Sequence, residues 1–163
     1  MKPEIIQADY QNPRHAQDLR LLLDSYARDP MGGGAPLPAA VLERVVAELA
    51  KRAHAFSVLA YVEGRAAGLA NCFEGFSTFQ ARPIVNIHDM VVQPEFRGCG
   101  VGQALLGRVE EIALARGCCK LTLEVLGGNG RAQAAYRRFG FEGYALDPQV
   151  GQAHFWQKTL PAA

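Results

Sequence analysis

The sequence predicts a single mixed α/β domain spanning residues 1–163. Three observations carry this. The chain has 163 residues, enough for one ordinary domain and too few for two. Apolar stretches with strand character are interleaved with stretches whose apolar residues recur at helical spacing. In chain order they read strand, two helices, three strands, helix, strand, helix, strand, with no repeat, low-complexity tract or linker between them. A chain of this length buries roughly 70% of the surface its unfolded form exposes, so it needs no covalent staples.

Residues 4 to 8 read as a short opening strand. Asn12-Pro13 has the form of a helix N-cap followed by proline at the first helical position, and Leu19, Leu22, Leu23 and Tyr26 continue it as one apolar stripe. DPMGGGAPLP, residues 29 to 38, is a loop punctuated by prolines and loosened by consecutive glycines. Leu42, Val45, Val46 and Leu49 mark a second helix. Residues 56 to 62 and 66 to 73 read as a hairpin turning at Glu63, Gly64 and Arg65. Polar and aromatic residues crowd "EGFSTFQAR", and a strand follows in "PIVNIHDMVV", where Pro83 is tolerable at the start. Simple alternation sends His88 and Asp89 to opposite sides of it. Val101, Leu105, Val109 and Ile112 form a helix stripe, with Gly117 suited to its C-terminal end. "KLTLEVL" alternates as a strand, residues 129 to 139 read as a helix ended by Gly140, and "AHFWQKTL" reads as a last strand.

Hydrophobic residues make up 49% and charged residues 20%, with a formal net charge of +1, which gives no general attraction to nucleic acid or an anionic membrane. MKPEIIQADY lacks the apolar run of a signal peptide, and no stretch reaches membrane-span length, so a soluble cytoplasmic protein is expected. The cysteines are Cys72, Cys99, Cys118 and Cys119. On a strand, Cys118 and Cys119 would face opposite ways, poorly placed to share a metal or a disulfide, and no C-x-x-C spacing occurs. Structural thiols and no metal are expected.

"RGCGVG", residues 97 to 102, places Gly98, Gly100 and Gly102 at every second position. A P-loop would need Lys-Ser or Lys-Thr after its last glycine, and neither occurs. A dinucleotide fingerprint fails too, because its third glycine falls on Gln103. A methyltransferase-like loop finds Arg97 where an acid belongs, with too little chain behind it for a large doubly wound sheet. A plain turn has no use for three glycines that each cost backbone entropy. Bare amides running into a helix N-terminus suit an anion, and pyrophosphate fits their number.

"VVQPEFRGCGVGQALL" resembles the acetyl-CoA motif of the GNAT N-acetyltransferases, Q/R-x-x-G-x-G/A, with Arg97, Gly100 and Gly102 in its defined positions. "LEVLGGNGRAQAAYRRFGF" resembles the second half of the family signature through Val125, Asn129, Ala132, Tyr136 and Gly140-Phe141. Together these motifs cover residues 88 to 141. The resemblance implies a GNAT acyl-CoA N-acyltransferase fold, a mixed central sheet with splayed parallel strands flanked by about four helices. It implies acetyl-CoA as co-substrate, its pantetheine arm pairing with the backbone of Met90, Val91 and Val92. It implies pyrophosphate on the amides of Arg97, Gly98, Cys99, Gly100, Val101, Gly102 and Gln103, and Asn129 on the pantetheine side.

Acetyl transfer to an amine needs a neutral amine, although a lysine-like amine has a pKa of about 10.4. It also needs a donor for the carbonyl oxygen as it gains charge, and a proton for the leaving thiolate. By resemblance Tyr136 supplies that proton and the Val92 N–H serves as the oxyanion donor. The base stays open between two residues. Glu124 stands where the acetyltransferases of ribosomal-protein N-termini place a catalytic Glu. His88 stands where polyamine acetyltransferases resembling "IHDMVV" carry Glu. Asp89 reads as structural, and Glu74 as a surface residue or a wall of the acceptor pocket. The expected acceptor is an amine on a small molecule or at a peptide end, met by the first two helices, the loop at 31 to 36 and "EGFSTFQAR". Neither nucleic acid nor membrane is an expected partner, and a homodimer is left open. A catalytically silent CoA-binding sensor or regulatory module is the alternative.

Overall fold

Asn12 starts the first helix as the sequence predicts. Its Oδ1 accepts from the backbone N–H groups of Arg14 at 2.9 Å and His15 at 3.4 Å, and Pro13 fills the first position, where no N–H is needed. The computed structural model describes residues 2–161. Its elements are β1 (Glu4–Gln7), α1 (Pro13–Arg28), α2 (Ala39–Ala50), β2 (Ala55–Val62), β3 (Arg65–Ser77), β4 (Arg82–Val92), α3 (Val101–Ala115), β5 (Leu121–Leu123) and α4 (Gly130–Phe139). Short 3-10 turns occupy Pro30–Gly32 and Pro94–Phe96.

The five strands form one sheet in the order β1-β2-β3-β4-β5. β1 through β4 pair antiparallel, and β5 joins parallel to β4. This is the predicted mixed sheet with four helices. β2, "AFSVLAYV", is buried along its whole length because helices cover both faces. On one face Val58, Val85 and Ile87 meet Val101, Leu105 and Val109 of α3. On the other, Leu59, Leu69 and Val91 meet Leu19 and Leu22 of α1 and Val46 and Leu49 of α2. α3 lies very close to the sheet at Gly68, where an added Cβ would stand 2.9 Å from the Val91 carbonyl oxygen and 3.0 Å from Leu105 Cδ1.

Three expectations are corrected. "EGFSTFQAR" is the tip of a long β3–β4 hairpin, since β3 runs to Ser77 and β4 begins at Arg82. Phe79 at that tip is fully exposed. Residues 153–160 form no strand. That region has only an isolated bridge between Ala145 and Gln152, and Phe155, Trp156 and Leu160 are exposed. The neighbouring sheet edge, β5, is three residues long and offers little ladder to extend. Cys118 and Cys119 lie between α3 and β5, not on a strand, with Cys118 buried and both thiols free. No helix among the described residues is long and apolar enough to cross a membrane.

Candidate active site

The site begins with a fault in β4. Asn71 of β3 is opposite Asp89 and Cys72 is opposite Ile87, so His88 is an extra residue on β4, a β-bulge. The bulge resets the alternation. Before it Val85 and Ile87 face α3; after it Met90 and Val92 do, while Val91 turns to the α1–α2 face. It also overturns the expectation for Asp89. Asp89 accepts from Asn71 Nδ2 at 3.0 Å, and the His88 ring lies edge-on to Phe73 at 5.5 Å. Asn71 and Phe73 point to the same sheet face, two residues apart, so His88 and Asp89 share that face.

Just past Ile87 the parallel partner ends. β5 pairs with β4 only from Val85↔Leu121 to Ile87↔Leu123. From His88 to Val92 the β4 edge on that side carries no strand. The gap opens into a cavity of about 410 Å³, walled by Met90, Val91 and Val92 on the strand and by Asn129, Ala132 and Tyr136 of the α4 end.

The glycine loop closes one end of this cavity. Gly100 caps α3 in the left-handed conformation, φ 82°, with no side-chain cap. An added Cβ there would meet no atom within 4 Å, so the space beside it is open. The N–H groups of Val101, Gly102 and Gln103 have no carbonyl one turn back. The amides of Arg97 and Cys99 are already committed, donating to Pro94 O at 3.3 Å and Phe96 O at 3.4 Å. An anion at this helix start would therefore meet the amides of the first helical turn and the dipole's positive end.

Side chains brace the cavity. Arg97 donates through Nε to Val92 O at 2.9 Å and through Nη2 to Asp29 Oδ2 at 2.9 Å, tying the loop after α1 to the glycine loop. Gln103 Nε2 donates to Ala135 O at 2.9 Å, clasping α3 to α4. Asn129 Oδ1 accepts from Ala132 N at 3.1 Å as the N-cap of α4, which leaves its Nδ2 as a donor. Burial pushes the Tyr136 phenol up to about 12, with a smaller contribution from Tyr26. Tyr26, also on the cavity wall, is raised by burial and then by the charges of Asp89 and Asp29. Both phenols therefore keep their protons at neutral pH and can donate.

Of the residues singled out in the sequence, Met90, Val91, Val92, Arg97, Gly98, Gly100, Gly102, Gln103, Asn129 and Tyr136 line this one cavity. Val101 is buried in the core below it, and Cys99 is exposed beside it. Glu124 lies past the end of β5, exposed, with Asn86 Nδ2 at 3.4 Å from its carboxylate. It lines a second cavity of about 720 Å³ on the far side of Tyr136, so that tyrosine alone of the two touches both spaces. His88 is exposed on the α1–α2 face. Glu74 is a surface ion pair with Arg116 at 3.1 Å and lines neither cavity. Sequence reasoning missed Tyr26, Asp29 and Met31, which reach the cavity from the end of α1, and Arg131 and Arg138, cations on its α4 wall. The two arginines, seven apart and hence on one helix face, are the only part of this that spacing alone shows.

Residues 10–141 match the family model described as the Acetyltransferase (GNAT) family. A thialysine N-epsilon-acetyltransferase from Bos taurus is 42% identical over 65 residues, 40% of this chain and 38% of that protein. An uncharacterized N-acetyltransferase from Methanocaldococcus jannaschii is 37% identical over 82 residues, 50% of this chain and 36% of that protein. The chain thus matches well under half the length of these curated relatives. Among solved structures, AAC(6')-Iy in complex with the bisubstrate analog CoA-S-monomethyl-acetylneamine superposes with a TM-score of 0.76 at 21% identity, covering 98% of this chain and 100% of that one. At that identity the likeness is one of fold.

Proposed function

The chain belongs to the GNAT acetyltransferase family, and from that premise we propose that it transfers the acetyl group of acetyl-CoA to a primary amine of a small molecule or peptide, by direct attack in a ternary complex. The observation that carries the reading is the bare β4 edge from His88 to Val92, which opens into a cavity ending at the Gly100-capped helix start. An amide-bearing arm finds strand-like partners along that edge, and a pyrophosphate finds free N–H groups at the helix start. Asn129 Nδ2 donates to the arm, and Arg131 and Arg138 supply positive charge along the same wall.

In the reaction a nitrogen–carbon bond forms and the carbon–sulfur bond breaks. The Val92 N–H stabilises the oxygen as it gains charge. The Tyr136 hydroxyl, protonated at neutral pH, gives its proton to the departing sulfur. The proton leaving the amine passes to a base, for which Glu124 is our first candidate and His88 the second. The cattle relative is named for acetylating thialysine and the AAC(6')-Iy complex holds the bisubstrate analog CoA-S-monomethyl-acetylneamine, which supports a small-molecule amine as acceptor.

The test has two arms. Calorimetry reads acetyl-CoA binding, and a thiol assay reads CoA release against an amine panel, with mass spectrometry of acetylated products formed from a metabolite extract. Binding with amine-dependent release is expected. Binding without release from any amine makes the protein a silent CoA-binding module, and absence of binding overturns the reading altogether.

A further inference from the structure

The chain exposes 10560 Å² of surface. A folded monomer of 17.7 kDa is expected to expose about 8,000 Å², roughly 2,500 Å² less. The excess sits in the last third of the chain. Among the described residues none after Cys118 is buried, α4 included. Beyond α4, Tyr144, Leu146, Val150, Phe155, Trp156 and Leu160 are all exposed. This arm nonetheless has a built turn. Asp147 Oδ1 accepts from Gln149 N at 2.8 Å, its carbonyl oxygen accepts from Val150 N at 2.9 Å, and Ala145 bridges Gln152. A formed turn thus holds Leu146 and Val150 out in water.

Apolar surface exposed on this scale marks a contact face. The chemistry of the arm narrows what covers it. From Tyr144 to Leu160 it carries one acid, Asp147, and one base, Lys158. Such a neutral, aromatic-rich surface suits another protein face and offers no attraction to nucleic acid or an anionic membrane. A groove of matching character lies on the same chain. β5 is the last strand of the sheet, with its outer edge unpaired among the described residues. Beside it lies the cavity of about 720 Å³ lined by Leu123, Val125 and Phe141. The chain's own Phe155 borders this cavity yet stays exposed, and Trp156 and Leu160 take no part in its wall. β5 is three residues long and gives the arm little ladder. Laying the arm on its own chain would cover the groove and leave the arm's outer side in water.

We propose that residues 120–160 form an interface with a second copy of this chain, each copy's arm covering the other's β5–α4 groove. With arm and groove on one chain the contact is self-complementary. A two-fold pair therefore satisfies both surfaces at once and closes, with nothing left over to recruit a third copy. The area agrees. The excess is about three times the 800 Å² per partner of a standard interface, which places it among obligate homodimers, the more apolar class. Pairing also removes the open sheet edge, which is otherwise a template for uncontrolled association.

Sedimentation equilibrium on the full chain tests this, with Trp156, the sole tryptophan, as an internal reporter. We expect the wild type at micromolar concentration to sediment at twice 17.7 kDa, with Trp156 fluorescence shielded from acrylamide. Phe155→Ser combined with Trp156→Glu should give a monomer with the circular dichroism retained, the dissociation constant rising about a hundredfold or more. Trp156→Ala, a milder change for the case where the double variant fails to fold, should raise it about tenfold or more. Phe79→Ser, at the exposed tip of the β3–β4 hairpin, should leave the dimer intact. A wild-type monomer overturns the inference, and a monomer with a shielded Trp156 shows that the arm closes on its own chain. A dimer whose Trp156 is fully quenched overturns it too, as does one that Trp156→Ala leaves undisturbed, because the contact then lies elsewhere.

Discussion

Arg97 and Asp29 stand 2.9 Å apart, joining the glycine loop to the loop after α1. Asp29 does more than pair. Its side chain accepts from Met31 N at 2.9 Å, and its carbonyl oxygen accepts from Gly32 N at 2.8 Å and Gly34 N at 3.1 Å. The loop that supplies Met31 to the cavity is thus organised around one residue, which is anchored to the glycine loop through Arg97.

Replacing Asp29 with asparagine should therefore disturb the acceptor side more than the cofactor side. We expect the amine KM to rise severalfold with acetyl-CoA affinity little changed, and a stability loss of about 1 kcal/mol or less, as for a half-exposed ion pair. The Met31 N–H first, and then Arg97, hold the Asp29 carboxyl below the usual carboxylate range. Its contribution is present in full above the unfolded-state value of about 3.9 and is lost as the pH falls through the lower folded-state value. Urea midpoints of wild type and Asp29→Asn should differ at neutral pH and converge in acid. A gap that widens in acid contradicts the pairing.

Tyr136→Phe keeps the ring and its edge-on contact with Phe141 at 5.8 Å and removes only the hydroxyl. Turnover should fall by about 10²–10⁴-fold with the dissociation constant for acetyl-CoA nearly unchanged. Because burial pushes this phenol up to about 12, it stays protonated through the neutral and mildly basic range, and the wild-type profile should show no basic limb from it below about pH 10. Steady-state rates across pH, with calorimetry, check this. A loss below about threefold reduces Tyr136 to packing.

Two glycines separate folding from ligand binding. At Gly100 an added side chain meets open space but must adopt φ near 82°. Gly100→Ala should cost about 1–2 kcal/mol from that conformation alone. Gly100→Glu should in addition put bulk and negative charge where the anion belongs and abolish acetyl-CoA binding with the circular dichroism retained. At Gly68 the added Cβ meets the Val91 carbonyl oxygen at 2.9 Å. Gly68→Ala should thus destabilise the fold by about 1–3 kcal/mol through overpacking. Chemical denaturation beside calorimetry distinguishes the two. Unchanged acetyl-CoA affinity in Gly100→Glu refutes the loop assignment.

What the sequence shows and what it hides divides along local and non-local lines. Asn12-Pro13 and the glycines of the loop are local signals, and the structure carries a capped helix and a left-handed helix start there. The bulge at His88 is non-local. It exists only as a mismatch in register between β3 and β4, so period-two alternation along one strand put His88 and Asp89 on opposite faces when they share one. Asp29 and Tyr26 reach the cavity because α1 ends beside β4, which no spacing within the chain encodes. The strand expected at 153–160 has aromatic residues that suit a strand, but a strand needs an edge to join, and β5 is only three residues long.

The base is the remaining question of the proposed chemistry, and the two candidates sit on different sides of the slot. Glu124 shares the second cavity with Tyr136, while His88 sits on the bulge with its ring edge-on to Phe73. Their chemistry differs in a way pH reveals. A histidine base makes kcat/KM fall as the pH is lowered through the neutral range, whereas a carboxylate base leaves that range flat unless a neighbour titrates. We expect Glu124→Gln to lose most of its turnover and His88→Gln to keep the wild-type rate and profile. The measurement is the pH dependence of kcat/KM for acetyl-CoA at saturating amine, for wild type and both variants. If Glu124→Gln retains rate and profile while His88→Gln removes an acidic limb, the base is His88 and the amine loses its proton on the α1–α2 face, beside Asp89. If both variants remain fully active, neither acts as base, the amine arrives neutral from solvent, and orientation in the slot carries the rate.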